Sequence, residues 1–438
     1  MTETRPADAA EGRDFSYRPF IWLAVATFSM GIDGYVLAGL LPQIAGDLEV
    51  TPAAAGQLMS VFAFTAALAG PVLGTLTSRW ERRTTIVLSL GVFVLGNLVV
   101  GLAANYPMAL GGRVLSALGG SLLNAAVTGY VIALTPVRHH GKALSFVLGG
   151  WMTATALGVP IGLVLGQSSW RFPMILVAAV GTIALLGIML RLPQLHLPGG
   201  TLVERLRPLG QPRLVAGLLV TTGILCSSYA CFTYATLILG PHFHAEWAII
   251  LIMFGYGVSS MAGNAVTGRL VDKFTALRVL TVVLVGLLLN AVLGMIALMF
   301  APAVVAAVWG LIWFFSAGVG NGGAAVPQQA RLAQMAPDSA AIVMALNGSA
   351  ISLGSALGSG LGGVALTAGA APNGLLGISA VVLALTVGLH TLVTRASKAA
   401  VGGRRRAPLR RMRIRSSRTG HWRGWRSRPS RWGSTATS

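Results

Sequence analysis

The sequence predicts an all-α membrane protein of twelve transmembrane helices, arranged as two six-helix halves related by pseudo-symmetry. Three observations carry this expectation. Of 438 residues, 54% are hydrophobic and only 10% charged, with Gly reaching 56 and a mean hydropathy of +0.74, a balance that soluble domains of this length do not approach. Twelve apolar runs lie near 20–43, 53–77, 85–103, 108–134, 143–166, 173–192, 214–238, 247–271, 278–300, 303–327, 340–366 and 373–394. Each is close to the ~20 residues a helix needs to cross a ~30 Å hydrocarbon core. Finally, motifs of the first half recur in the second at a nearly constant shift.

Backbone groups in lipid must bond within their own segment, so the runs are helices. They are far longer than the ~10-residue alternating segments of a membrane barrel. Before span 1, residues 1–18 mix acids with bases and precede a full-length span, so the reading is a retained first helix and no cleavable signal peptide. The halves are then 19–192 and 214–395. Between them lies the loop 193–213, punctuated by Pro193, Pro198, Pro208 and Pro212. A basic tail, 396–438, follows.

Charge sets the expected orientation. The formal charge is +20, but 14 of the 32 Lys and Arg lie between Arg395 and Arg431, in a stretch without acids. Of the other 18, Arg113 falls within span 4 and Arg171 on one side, while 16 fall on the opposite side. These are Arg5, Arg13 and Arg18 of the arm and the even-numbered connections, Arg331 after span 10 among them. The positive-inside rule then puts both termini in the cytoplasm. The odd connections hold few charges, chiefly Asp47, Glu49, Arg171 and Glu246.

The chain reads as built twice. Gly74, Leu76 and Arg79 after span 2 align with Gly268, Leu270 and Lys273 after span 8 at a shift of 194. Gly158, Gly162 and Gly166 of span 5 align with Gly354, Gly358 and Gly362 of span 11 at a shift of 196. Two parallel six-helix repeats are a common transporter plan, with substrate held between the halves at mid-membrane.

"GTLTSRWERR" (74–83), "GRVLSALGG" (112–120) and "GVPIG" (158–162) on this layout resemble the major facilitator superfamily, in particular its twelve-span drug:proton antiporters. "GIDGYVLAGLLPQIAGDL" (31–48) further resembles the chloramphenicol and sugar-efflux branch. The likeness covers about residues 18–395. It implies the major facilitator fold and a gating role for the loop residues Gly74, Arg79, Arg82 and Arg83, with Gly268, Asp272 and Lys273 in the second half. The family's loop Asp is Ser78 here and its second Gly is Glu81, so Asp272 and Glu81 are the two candidates to replace the missing acid. Plain anchoring at the anionic lipid surface explains Arg82 and Arg83 equally well. In span 5, Gly158, Pro160, Gly162 and Gly166 strip one helix face of side chains, which allows close helix approach. The resemblance adds that this antiporter motif slides against the opposite half.

Asp33 sits within span 1 and Arg113 within span 4. A mid-membrane charge costs ~3 kcal/mol on insertion scales and such residues are usually functional. At 1.5 Å per residue, both lie roughly 20 Å from the cytoplasmic edge; the resemblance implies that spans 1 and 4 both line the central cavity, which allows a direct or water-bridged interaction. Desolvation favours the protonated acid and a neighbouring Arg the ionised one, so alternating access lets Asp33 take a proton from outside and release it inside while substrate moves outward. The bland alternatives are a protonated structural carboxyl at Asp33 and a snorkelling Arg113.

For the substrate cavity the candidates are Tyr35, Gln57, Asn124, Tyr229, Tyr234, Asn321 and Asn347, neutral groups that suit partly apolar, neutral or weakly cationic molecules. No charge is expected within the spans of the second half. Cys226 and Cys231 read as small buried residues, and "HFH" (242–244) as an outer loop, so no metal site is expected. His390 is expected at the inner interface. No P-loop is present. The expected function is therefore proton-coupled export of small amphipathic molecules such as antibiotics, powered by the proton gradient without a cofactor. The alternatives are efflux of sugars or small polar metabolites and, further off, a membrane receptor or enzyme, for which no catalytic constellation is evident. The expected partners are the small-molecule substrate and the lipid bilayer, with no nucleic acid, and the expected state is a monomer in the cell membrane.

Overall fold

The computed structural model describes residues 17–136, 139–196, 206–243 and 245–406, the side chains of Pro19, Glu246, Asp338, Ala341 and 396–406 excepted. Twelve helices among them are long and apolar enough to cross a membrane. They are α1 Ile21–Gly39, α2 Pro52–Leu76, α3 Arg82–Gly101, α4 Tyr106–Leu134, α5 His140–Gly166, α6 Arg171–Arg191, α7 Pro212–Phe232, α8 Trp247–Lys273, α9 Ala276–Phe300, α10 Ala303–Met335, α11 Ile342–Thr367 and α12 Pro372–Arg395. No strand occurs among the described residues. One unit runs to Thr394, and the residues from Arg395 onward form another. The N-terminal arm before Tyr17, the loop basics Arg138 and Arg205, His244 and the tail from 407 lie outside the described residues. The face that carries the even-numbered connections is called the basic face below.

Helix starts follow local chemistry. Thr51 accepts from Ala54 N at 3.2 Å and Asn105 from Met108 N at 3.0 Å, each occupying an otherwise orphaned donor of a first turn. Glu81 does the same for α3, from Arg83 N and Thr84 N.

Three boundaries depart from the apolar runs, each at a proline. Helix α1 ends at Gly39 and a short helix, Leu41–Asp47, carries Pro42. Proline has no N–H to offer the carbonyl four residues back. That carbonyl, Ala38 O, instead receives Thr236 Oγ1 of the second half in a long contact of 3.5 Å. In α5, a wide π turn at Ala154–Gly158 immediately precedes Pro160. Helix α10 continues through Pro327 to Met335, eight residues beyond the apolar run. Its extra turns carry Gln328 and Arg331 into the protein, where both are buried.

Within each half, glycines set the helix distances. Gly96, Gly112 and Gly119 bring α3 and α4 backbone to backbone. Gly158, Gly162 and Gly166 of α5 lie against Ile32, Val36 and Leu40 in the α1 segment. Their repeats Gly354, Gly358 and Gly362 of α11 lie against Thr222, Ala230 and Tyr234 in the α7 segment. The seams correspond position for position, as the internal repeat requires.

Candidate functional site

Asp33 and Arg113 meet in the first half. Arg113 Nη1 donates to Asp33 Oδ1 at 2.5 Å, with both residues at most 2% exposed. Arg113 Nε donates to Leu58 O of α2 at 3.2 Å, and its guanidinium lies 4.1 Å from the centre of the Phe62 ring. The cation is therefore held by a carboxylate, a carbonyl and an aromatic face, which together offset the cost of burying it. Asp33 Oδ2 is buried without a hydrogen-bond partner among the described residues. A carboxylate left with one vacant oxygen in a low-dielectric site is poised to accept a donor there. Both residues are enclosed by α1, α2 and α4 in this state.

Two residues after Asp33, Tyr35 looks the other way, across to the second half. Its ring meets Phe232 of α7 edge-on at 5.6 Å. Phe232 also contacts Tyr229 (5.8 Å) and Tyr256 (4.9 Å), and Tyr256 contacts Phe314 of α10 at 4.8 Å. Behind these rings a cavity opens between α7, α8, α9, α10 and α12, lined by Ser227, Cys231, Asn290, Trp313, Asn321 and Ser379 among others. Asn321 Nδ2 donates to the Tyr256 hydroxyl at 3.2 Å, while its Oδ1 is buried and unpartnered. The cavity measures only about 30 Å³ in this state, so the rings pack on one another and a drug-sized occupant would have to part them.

The remaining cavity candidates fall elsewhere. Gln57 lines a cleft on the side opposite the basic face, with Thr51, Gly363 and Thr367. Tyr234 is fully buried, donates to Ser359 O at 2.9 Å and lies against Gly56, so it closes α2 on α11. Asn347 Oδ1 accepts from Thr221 Oγ1 at 2.8 Å and ties α11 to α7. Asn124 is exposed on α4. Thr155 meets Gly257 across the two halves, while Tyr106 donates to Ala54 O at 2.7 Å within the first.

The loop motif acts locally in this state. Arg83 Nη1 donates to Leu192 O at 3.1 Å and Nη2 to Met189 O at 2.5 Å, occupying carbonyls at the end of α6. Arg82 N donates to Leu195 O, and Leu195 N to Glu81 Oε1, both at 2.8 Å. Glu81 is partly buried, which opposes ionisation. Hydrogen bonds from Thr84, Leu195 and Arg83 outweigh this and bring its carboxyl down to about 2. Glu81 is thus occupied within the first half, fastening the start of the inter-half loop. Arg79, Asp272 and Lys273 are exposed, and no ion pair joins Asp272 to another described residue. Gly74 is buried and Gly268 has open space around its Cα. On the far face, Asp47 accepts from Trp170 Nε1 (3.0 Å) and Arg171 Nη1 (2.5 Å), the Trp170 bond foremost in holding its carboxyl below the usual range.

The glycine stripe of α5 faces α1 of its own half, whereas the resemblance implied sliding on the opposite one. Toward the second half, α5 meets α8 through the π turn, where Thr155 lies against Gly257, and through the turns that follow it. Two buried residues of the second half also depart from the sequence reading. Arg331, assigned there to a connection, is 5% exposed inside α10, and His390, assigned to the interface, is 1% exposed. Arg331 Nη1 lies 2.9 Å from His390 Nδ1. The apolar run closes at Pro327 and so misplaced Arg331, because the helix passes through that proline without a break. Phe232, Tyr256, Phe314 and Phe62 were not singled out. Only the three-residue spacing of Tyr229 and Phe232, which share a helix face, hinted at the aromatic wall.

Comparison with known proteins agrees with this architecture. The family model described as Major Facilitator Superfamily matches residues 23–358 and 218–438. A "Chloramphenicol resistance protein" of Streptomyces lividans is 32% identical over 264 residues, covering 58% of this chain and 67% of that one. A "Probable sugar efflux transporter" of Helicobacter pylori (strain P12) is 26% identical over 360 residues, covering 79% and 88%. Among solved structures, a bacterial homologue of the human lysosomal transporter Spinster, inward-facing and occupied, superposes with a TM-score of 0.68 at 18% identity, covering 87% of this chain and 98% of that one. Twelve membrane helices, the doubled glycine seams and the match over nearly the whole chain lead to one assignment: the protein is a multi-pass membrane transporter that belongs to the Major Facilitator Superfamily.

Proposed function

We propose that this transporter exports small amphipathic molecules in exchange for protons. The observation that carries the reading is the Asp33 carboxylate, paired through Oδ1 with Arg113 and vacant at Oδ2, two residues before the Tyr35 that faces the aromatic wall. A proton entering from the face opposite the basic one settles on Oδ2 and neutralises the acid. The Arg113 bond then weakens, and α1 and α4 are released to rearrange. Substrate held between Tyr35, Phe232, Tyr256 and Phe314 favours the ionised form, so proton and substrate bias the same two-state equilibrium in opposite directions. The basic face is cytoplasmic in this scheme, the protein works as a monomer, and the gradient alone supplies the energy.

Apolar rings supported by a few neutral polar atoms favour partly aromatic compounds, and the similarity to a chloramphenicol resistance protein points the same way. A second reading, efflux of sugars or small polar metabolites, draws on the free Asn321 Oδ1, on Asn290 at the same cavity and on the sugar-efflux relative. The deciding experiment uses proteoliposomes with an imposed pH gradient, with chloramphenicol-like aromatics and pentoses or hexoses offered in competition. Gradient-driven flux of the aromatic compound, abolished by a protonophore and by Asp33→Asn, supports the first reading. Flux of sugar alone supports the second. Flux indifferent to both protonophore and Asp33→Asn refutes proton coupling.

A further inference from the structure

Arg331 and His390 form a buried polar group that the site between the halves does not use. His390 of α12 is flanked on two sides: its Nδ1 lies 2.9 Å from Arg331 Nη1 of α10, and its Nε2 lies 2.8 Å from Thr281 Oγ1 of α9. A guanidinium has donors only, so Nδ1 must be the acceptor and the imidazole is neutral with its hydrogen on Nε2. That hydrogen goes to Thr281 Oγ1, whose own hydroxyl donates to Leu277 O at 2.8 Å. Chemistry alone therefore assigns the hydrogens along the whole chain.

Among the described residues no carboxylate lies in an ion pair with this group. From α9 the nearest charged side chain toward the basic face is the exposed Arg278, three residues from Thr281. Helix α10 contributes Arg331 itself and the neutral Gln328, and α7 contributes the neutral Thr221, with Arg213 exposed at its start. The helix that bears His390 adds Thr394, whose hydroxyl donates to His390 O at 2.7 Å, and then Arg395.

We propose that His390 is a second proton-binding site of this protein, separate from Asp33 and read from the basic face, and that proton uptake there breaks the bond to Arg331. A hydrogen on Nδ1 would set donor against donor and put an imidazolium beside a guanidinium at 2.9 Å. Relief requires Arg331 to move, and with it the last turn of α10. Leu332 and Met335 of that turn lie against Gly217 of α7 and within the cluster of Leu214, Leu218, Val343 and Leu346 that joins α7, α10 and α11 at the basic face. Acid on that face thus loosens the end of the second half, whatever the substrate. The inference needs neither a substrate nor a gradient, so it stands or falls apart from the exchange mechanism.

The test uses the full-length protein in lipid nanodiscs. Deuterium exchange at the histidine C2 position, followed by mass spectrometry, reads the titration of His390 between pH 4 and 8 in wild type, Arg331→Gln and Asp33→Asn. The expected result is that Arg331→Gln moves the His390 midpoint upward by at least half a pH unit, while Asp33→Asn leaves it in place. A second measurement, the thermal unfolding midpoint at pH 8 and pH 4.5, compares wild type with His390→Gln, which keeps an acceptor for Arg331 but does not titrate. Wild type is expected to lose several degrees in acid, and His390→Gln less than half as much. An unmoved midpoint in Arg331→Gln, or equal acid losses in wild type and His390→Gln, overturns the proposal.

Discussion

Thr155 and Gly257 touch across the two halves, with the Thr155 carbonyl so close that a Cβ on Gly257 would stand 2.8 Å from it. The contact exists because the π turn of α5 carries Thr155 outward and because residue 257 lacks a side chain. Adding one there drives backbone against side chain, and backbone cannot give way cheaply. Gly257→Val is therefore expected to wedge the halves apart on the side away from the basic face. Labelling of Gln57→Cys in the outer cleft, in a background without Cys226 and Cys231, should rise severalfold when Gly257→Val is added. Unchanged labelling would show that the halves close by another route.

The buried ion pair predicts an asymmetry between its members. Arg113→Met leaves Asp33 buried beside nothing that can compensate it, a loss of about 3–5 kcal/mol if the acid stays ionised. Asp33 escapes that cost by taking up a proton, so the Arg113→Met protein should fold but show transport insensitive to the gradient. Asp33→Asn leaves the cation with Leu58 O and the Phe62 ring. Its folding should suffer less, while its gradient-driven flux falls at least tenfold. Expression and thermal midpoint, set beside flux, separate the two effects.

Along the seams, Gly162→Leu and Gly358→Leu should each destabilise by about 2 kcal/mol or more, since Val36 and the Cys226 carbonyl occupy the space required. Gly268→Ala, with open space around it, should change stability by less than about 0.5 kcal/mol. Thermal unfolding in one detergent ranks the three. A Gly268→Ala midpoint as low as that of Gly162→Leu would contradict the seam argument.

Glu81 carries a pH dependence whose sign is fixed by its lowered carboxyl. Because the folded value is about 2, below the ordinary 4.5, its contribution is complete above pH ~4.5 and is lost as acid approaches pH ~2. Glu81→Gln should therefore cost about 1 kcal/mol near neutrality, in line with loss of a helix cap, and nearly nothing at the acid end. Proteolysis of the inter-half loop should quicken in the same variant, because an amide keeps one acceptor oxygen where the carboxylate offers two to the donors of Arg83, Thr84 and Leu195. Equal stability loss at both pH values would remove Glu81 from that role.

The twelve spans, the duplication and the common depth of Asp33 and Arg113 were legible because each rests on a one-dimensional quantity: run length, repeat shift, or depth counted along a helix; that the two helices adjoin came from the family resemblance. What could not be read was direction around a helix axis. Tyr35 and Asp33 are two residues apart yet serve opposite halves, and Asn347 and Tyr234, polar like Asn321, are spent on holding helices together. Arg331 was misplaced for a different reason. A membrane helix absorbs a proline when neighbouring backbone and side chains satisfy what the missing N–H leaves behind, so Pro327 did not mark an end.

Pro42 shows the same freedom put to another use. By withholding a hydrogen it leaves the Ala38 carbonyl for Thr236 of the other half, at a separation of 3.5 Å. A seal of that kind is faint, worth less than the ~1 kcal/mol of a well-made hydrogen bond. Such a contact adds little to the hold between the halves, which at this point rests on the helix faces buried alongside it.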